Sequence, residues 1–488
     1  MTFQHGITIL EKETAIKAPV YSDAACQIVV GRAPINLISD PQSAVNKPIL
    51  INEFSEAVEK IGFSYDFDNY EINQSIYMSF KNFNVAPLVF INVLDPENPE
   101  HVTVVAPASK EVTDKKVTLT DDGILLNTLS VKSSNGETTY DVEDDYVAVF
   151  NDSGKVVITL TDDGAAKDET TLSIGYTKLN PEGVTENDII GGYNALTDTY
   201  KGIEAVERIF PMLNVVGGIL TAPGFSHKPN VMAAIKAKSH DINGVFKVMN
   251  ICDVDTSTCK TYQACNEWKN NNSYIDEFTF LGFPMVKVGT YKFYASAQMS
   301  AQMAQVIAEA QGGVPFVSPS NQAAGITGCC LADGTEVNLS QKQANVLNSQ
   351  GIFTYINWQG WKAWGNRMAC YPANSDPKDC FVTSRNMFNW WGNTFILTYF
   401  PELDKPMNRR NIDRIVDTEN IRANGFIANE QVAGAKMTFT EADNPATSLI
   451  DGKIKFHQTL TAYPPMEGIT NEIEYDVNAL TKALFGGN

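Results

Sequence analysis

Ser226 and His227 stand side by side in "APGFSHKP", and Asp253 and Asp255 follow in "CDVDTST". A hydroxyl, an imidazole and a carboxylate are the parts of a nucleophilic hydrolase, in which a base takes the hydroxyl proton and an acid orients the base. Both segments end runs with the look of buried strands, and open parallel sheets gather their sites at the carboxyl ends of the strands. The pattern goes no further. Adjacent Ser and His side chains on one short loop rarely meet in nucleophile–base geometry, and no G-x-S-x-G elbow occurs. "DVDTST" starts like a calcium loop, but Thr258 stands where glycine is required and Ala264 where the bidentate glutamate belongs. There is no Walker loop and no G-x-G-x-x-G turn. His5, His101, His227, His240 and His457 show no metal-ligand spacing. Ser226 and Asp253 therefore read as polar turn residues capping helices. No catalytic residue, cofactor or metal is expected, and a hydrolase at the Ser226/Asp253 edge is the lesser alternative. Trp358, Trp361 and Trp364 could suggest a sugar platform, but so dense a cluster reads first as core and turn packing.

The elements around these loops set the architecture. From about Gly191, strands and helices alternate: "LNVVGGILTAPG", "GVFKVMNICDVD" and "EFTFLGFPMVKV" as strands, with "KPNVMAAIKAKSHD", "CKTYQACNEWKN" and "YASAQMSAQMAQVIAEAQGG" as helices. Alternation of this kind predicts a largely parallel sheet with helices on its faces. Upstream, "DAACQIVVGRAP" and "APLVFINVLDP" read as buried strands. "EFSEAVEKIGF" reads as a helix with Phe54, Val58 and Ile61 on one side.

Between Asp95 and Lys178 the composition changes, with 17 Asp and Glu against 7 Lys and Arg. β-branched runs separated by "DDG", "SNG" and "DSG" turns predict a small inserted β-sandwich. "TLTDDG" occurs at Thr118–Gly123 and again at Thr159–Gly164, as two similar strand-turn units. A calcium role for the paired aspartates lacks EF-hand spacing. An acidic sandwich of this kind could serve as a surface-binding module, a second alternative function.

Beyond residue 350, "GIFTYINWQGWKAWGNRMAC" predicts two strands around a turn, opening another unit. An apolar helix follows in "VTSRNMFNWWGNTFILTYF". A second lies in "PMNRRNIDRIVDTENIRANGF", with Met407, Ile412, Ile415 and Ile421 inward and Arg409, Arg410 and Arg414 outward. "GAKMTFT" and "DGKIKFHQTLTAY" pair as strands. The chain closes on "ITNEIEYDVNAL", where a period of two places Ile469, Ile473, Tyr475, Val477 and Ala479 on one face of a half-buried strand. Glu474 and Asp476 fall on the other. "AYPPMEG" separates it from its own body.

The 488 residues call for about three domains. A formal net charge of −20 argues against nucleic acid. The longest uncharged stretch, Ile209 to Phe225, is broken by Pro211, Gly217, Gly218 and Pro223 and is no membrane span. "MTFQHGITILEKE" lacks the basic start and apolar run of a signal peptide. The eight cysteines form no C-x-x-C pair and are expected as reduced, packed thiols in a protein made and assembled in cytoplasm.

Several pieces taken together resemble the tail sheath proteins of contractile-tailed bacteriophages and of phage-tail-like bacteriocins. They are "HGITILE" near the start, "NKPILI" at 46–51, "SPSNQAAGITG" at 318–328 and "NSQGI…WGNR" at 348–367. "LDKPMNRRNIDRIVDTENIRANGFI" at 403–427 and "GKIKFHQTLTAYPPMEGITNEIEYDVNAL" complete the set. The resemblance covers 1–94 and about 190–480, with the acidic segment as an insertion.

It implies a multidomain α/β and β protein. The expected parts are an N-terminal arm (1–20), the N-terminal α/β part of the core (21–94) and the inserted sandwich (95–180). A subtilisin-like α/β domain without a triad (181–355), an α+β C-terminal domain (356–465) and a C-terminal arm (466–488) follow. It further implies six-fold rings of this chain stacked around a tail tube. Baseplate and tail terminator proteins are the expected partners, and the virion tail the expected location. Arms that add strands to a neighbour's sheet would carry Gly6, Ile7, Thr8, Ile9 and Leu10 at one end. Ile469, Ile473, Glu474, Tyr475, Asp476 and Val477 would lie at the other. "AYPPMEG" and the residues after "HGITILEK" are expected to flex as hinges, and Arg409, Arg410 and Arg414 to face an acidic tube.

Overall fold

The computed structural model describes residues 23–486. Its first elements are all hydrophobic at their centres: β1 (Gln27–Gly31), β2 (Ile49–Ile51) and β3 (Leu88–Asn92). β1 and β3 are buried on both faces, as strands inside a helix-covered parallel sheet must be. The helix Phe54–Lys60 turns Ala57 and the following Ile61 inward, while Val58, expected on that face, is 41% exposed. Positions 54, 57 and 61 make the inward stripe, so the periodicity was helical but set one residue away from Val58.

The acidic segment forms β4 (Val102–Glu111), β5 (Lys116–Thr118), β6 (Ser130–Ser133), β7 (Tyr146–Phe150), β8 (Val156–Leu160) and β9 (Thr171–Leu179). They pair antiparallel as two three-stranded sheets, β4-β9-β6 and β5-β8-β7. One core joins the two, with Val131, Val156, Ile158, Leu172 and Ile174 fully buried. Period-two alternation is plain in β8, where Val156, Ile158 and Leu160 are inside and Val157 and Thr159 partly out.

A small hairpin, β10 (Gly192–Asn194) and β11 (Thr199–Lys201), precedes the return to the main sheet. That sheet continues with β12 (Ile219–Thr221), β13 (Met249–Asp253) and β14 (Thr279–Gly282). β15 (Met285–Val288), β16 (Tyr291–Phe293) and β17 (Gly328–Cys330) form a separate antiparallel sheet, so "EFTFLGFPMVKV" is two strands and not one. β18 (Ile352–Asn357) and β19 (Trp361–Trp364) are the hairpin expected to open a new unit. Instead they extend the main sheet, whose order is β19-β18-β14-β13-β12-β1-β3-β2. All neighbours are parallel except the two edge pairs. Gly282 lets Phe353 lie across β14, since a Cβ there would sit 2.3 Å from the Phe353 ring. The helices Pro229–His240 and Ala295–Glu309 pack against the sheet, the second burying small residues and Met299 and Met303.

The C-terminal part carries the helices Val382–Tyr399 and Arg409–Ala428, then β20 (Gly434–Thr438) paired with β21 (His457–Thr461). Ile412 and Ile415 are inward as expected, but Met407 and Ile421 are 41% and 52% exposed. The buried stripe runs instead through Thr418, Glu419, Arg422 and Phe426. Glu419 is fully buried and accepts from Trp391 Nε1 at 3.0 Å, Arg422 Nε at 3.0 Å, Gln458 Nε2 at 2.9 Å and the Tyr399 hydroxyl at 3.2 Å. One carboxylate thus ties both helices to β21. Its desolvation is offset by four donors, one of them a cation, as a buried charge requires.

Candidate functional site

The loops with catalytic residue types do meet. Ser226 lies in the turn after β12, Asp253 ends β13, and Ser296 lies in the first turn of the helix Ala295–Glu309. The Ser226 hydroxyl donates to Asp253 Oδ2 at 2.8 Å, and the Asp253 N–H donates back to Ser226 Oγ at 3.1 Å. Ser296 gives Asp253 two more bonds, from its N–H to Oδ1 at 2.8 Å and from its hydroxyl to Oδ2 at 2.5 Å. Tyr274 closes the knot by donating to the Ser226 carbonyl at 2.8 Å. Ser226 and Ser296 are fully enclosed and Asp253 nearly so.

Burial pushes the Asp253 carboxyl up, against the pull of those hydrogen bonds. Burial likewise pulls the His227 imidazole down, and its ring faces Tyr294 at 6.3 Å between centroids. Among the described contacts Ser226 bonds a carboxylate and no imidazole. The Ser226 hydroxyl is therefore bonded directly to the carboxylate, without the imidazole that stands between them in a triad, in a place closed to substrate. The arrangement stitches β12, β13 and a helix together. Asp255 is equally occupied, accepting from the Ser257 N–H at 2.8 Å, the Ser257 hydroxyl at 2.6 Å and the Thr258 hydroxyl at 2.8 Å. It forms its own turn.

The other chemical possibilities resolve in the same way. In the acidic sheets Asp121 pairs with Lys178 at 2.9 Å, Asp122 with Lys155 at 2.7 Å and Asp162 with Lys115 at 2.6 Å. Trp358 is exposed at the β18–β19 turn, whereas Trp361 and Trp364 are half-buried. Among the described residues one trio, His240, Asp276 and Glu277, brings metal-type ligand atoms within 4.8 Å of each other. Spacing along the chain does not reveal it, because His240 lies far from the acidic pair. Asp276 is already served by His240 Nε2 at 2.9 Å, Lys236 Nζ at 3.3 Å and the Thr279 hydroxyl at 3.0 Å. Those partners, led against burial by the His240 bond, hold its carboxyl below the usual range. Lys236 balances the Asp276 charge from within the protein.

The closing segment behaves differently from the body. Residues 462–476 form no helix or strand, and every residue from Glu467 to Gly486 is exposed. Ile469, Ile473 and Tyr475 are 83%, 86% and 72% exposed. The strand expected through Leu480 gives way to a helix, Val477–Phe485. Asp476 caps it, accepting from the N–H groups of Asn478 and Ala479, and Val477, Leu480 and Leu484 recur at helical spacing. Glu474 stays in the extended part. The N-terminal arm residues Gly6, Ile7, Thr8, Ile9 and Leu10 lie outside the described residues. Arg409, Arg410 and Arg414 all point outward, Arg409 pairing with Asp413 at 2.9 Å and Arg414 with Glu402.

Comparison with known proteins agrees with a non-catalytic body. No family model matches the sequence. The chain is 24% identical over 500 residues to the tail sheath protein of Burkholderia phage BcepMu, covering 100% of this chain and 99% of that one. It is 25% identical over 328 residues to the tail sheath protein of Escherichia phage P2, covering 66% and 77%. Its fold matches the sheath complex of an extracellular contractile injection system, PVC, in the contracted state, with a TM-score of 0.58 at 14% identity over 98% and 99% of the two chains. Along its whole length the chain is related to the tail sheath proteins of phages, and its part is structural, not catalytic.

Proposed function

We propose that this chain is the repeating subunit of a contractile tail sheath, stacked as six-fold rings around a tail tube. Its contraction drives the tube through a host envelope. The observation that carries the reading is the C-terminal arm: apolar residues at 469, 473 and 475 alternate with acids, yet all are exposed and no strand among the described residues lies beside them. Unpaired backbone with a period-two apolar face is a strand waiting for a sheet. The hairpin β20–β21 can take a further strand, since two strands alone are marginal: Asn420 holds the Met437 N–H and carbonyl on the β20 side, and no strand among the described residues pairs with the β21 side. Arms from neighbouring copies, residues 6–10 and 469–477, would complete it.

In this reading the main sheet and its helices form a subtilisin-like body, supported by the central β3-β1-β12-β13-β14 order with its early strands beside β12. Arg409, Arg410 and Arg414 face the tube. Baseplate and terminator proteins bound the sheath at its two ends, and assembly takes place in the host cytoplasm before the tail joins the virion. Deleting 469–488 tests the proposal. The truncated protein should keep its fold by circular dichroism and sediment as a monomer where the full chain forms tubes. Sheaths of normal length from the truncated chain would refute strand donation.

A further inference from the structure

At the amino ends of β1, β3, β12 and β13, opposite the Ser226–Asp253 knot, lies an open apolar groove of about 840 Å³. Phe246 forms part of its floor, Leu50, Phe210 and Ile396 its half-buried walls, and Val245 and Phe400 its lips, 48% and 68% exposed. A groove this apolar with exposed lips is unusual on a finished surface. The same chain carries an apolar helix that packs on nothing among the described residues. Val477–Phe485 exposes Val477, Leu480, Leu484 and Phe485, and every residue in it is exposed. A helix of nine residues is below the length that holds together alone in water. It needs a surface.

Charge fits as well. Among the described residues Asp23 is the one charged side chain on the groove lining, and Lys482 is the one on the helix. The extended residues 468–476 give the helix a reach of roughly 30 Å beyond Glu467.

We propose that the helix Val477–Phe485 of one subunit docks its apolar face into this groove on a neighbouring copy, with Lys482 toward Asp23. The proposal rests on the sheath reading and adds a second contact to it. The strand 469–476 gives register, and the helix beyond it gives buried apolar area, the helix-in-groove mode of recognition.

The test uses full-length chains carrying Val245→Cys or Leu484→Cys, prepared separately, mixed, polymerised and mildly oxidised. All eight native cysteines are buried and do not compete. The mixture should give a disulfide-linked dimer that neither variant gives alone, and the double variant should give a ladder of linked copies. A closed loop within single chains of the double variant would overturn the proposal. So would polymers that form without the link, or linkage of Val245→Cys to Ile9→Cys, which would hand the groove to the N-terminal segment. Leu480→Asp with Leu484→Asp should raise the polymerisation threshold at least about tenfold, since one buried leucine exceeds the ~1.4 kcal/mol that a factor of ten requires. An unchanged threshold would also overturn it. Sedimentation of the unaltered chain keeps the two readings apart: absence of any polymer refutes the sheath and, with it, this contact.

Discussion

Arg367 grips Glu467 with three hydrogen bonds, from Nε at 3.1 and 3.0 Å and from Nη2 at 2.5 Å. The guanidinium lies 3.9 Å from the centre of the Phe381 ring and 4.6 Å from that of Tyr371. A planar fork on a carboxylate, backed by aromatic faces, fixes direction as well as distance. It links the "WGNR" and "YPPME" segments, and it moves the expected hinge. "AYPPMEG" is expected to flex as a hinge, but Glu467 is held to the body, so the hinge is placed from Gly468 onward.

The first prediction follows from that latch. Arg367→Lys keeps the charge and loses the fork, and Glu467→Gln loses the charge. Both side chains are partly exposed, so the pair is worth on the order of 1 kcal/mol and the melting temperature should shift by a few degrees at most. Limited proteolysis between 468 and 476 should accelerate, and polymerisation should slow, because the arm no longer leaves the body in one direction. Unchanged assembly kinetics in both variants would mean that the exit direction does not matter.

Lys269 supplies a pH prediction. It is buried, and its ammonium donates to the carbonyls of Gln350 and Tyr371, the latter at 2.8 Å. Burial lowers it from the ordinary lysine value to about 8. Between that value and about 10.5 the unfolded chain holds a proton that the folded chain has released, so this group makes stability rise with pH across the window. Below pH 8 its penalty is fully present. Urea denaturation of the full chain and of Lys269→Met from pH 7.5 to 10.5 should diverge by about 3 kcal/mol, with the full chain gaining. The tyrosines titrating at the top of the range are common to both and cancel. Parallel curves would show that Lys269 is not desolvated.

What the sequence made legible, and what it did not, divides along physical lines. The buried strands around Ile28, Phe90, Ile251 and Phe280 were plain, because a strand covered on both faces is a short unbroken apolar run between turns. The sandwich announced itself through alternation and turn residues. Ser226 and Asp253 were found, but not Ser296, which looks like any small residue in "YASAQMS" and matters only because β13 ends against that helix. Met407 and Ile421 are apolar in type but lie off the 412–415–419–422–426 spacing, and they are exposed. Glu419 and Arg422, three apart and in line with Ile412 and Ile415, mark the true inward stripe, though as charges they argue against burial until Trp391 and Tyr399 are beside them. The terminal segment switched from period two to helical at Asp476. Both patterns overlap on Val477, and the aspartate cap decides.

The basic helix face can be tested more sharply with the ion pairs known. Arg409 and Arg414 are partly neutralised by Asp413 and Glu402, whereas Arg410 is exposed with no ion pair among the described residues. If this face meets an acidic tube, Arg410→Glu alone should do most of the damage. Arg409→Glu would mainly disturb its own i,i+4 pair. The gain per subunit is small, roughly 0–1 kcal/mol, but it repeats along the tube. The expected outcome for Arg410→Glu is sheaths that assemble without a tube or contract early, scored by electron microscopy of tails. Normal extended tails would leave the helix face simply solvated.

The last prediction concerns where the work of contraction comes from. The sequence contains no phosphate-binding loop, and the Ser226–Asp253–Ser296 knot is closed to substrate and water. In the proposed sheath the energy would be stored during assembly, in an extended lattice that is metastable against one with more complementary contacts. The bodies would turn as rigid units, because Asp253 ties the main sheet to its covering helix and Glu419 ties the two C-terminal helices to β21. The arms would stay paired and bend after Gly468. Tails destabilised by acid or denaturant should therefore contract in nucleotide-free buffer, and contraction should not reverse. Ser226→Ala removes one donor from Asp253 but leaves both bonds from Ser296, so it should cost about 1–3 kcal/mol of subunit stability and leave contraction intact. Asp253→Asn removes a buried charge whose ionisation burial already opposes, and it should behave likewise. A nucleotide requirement, or assembled tails of either variant that fail to contract, would overturn the mechanical account and return catalysis to the Ser226 edge.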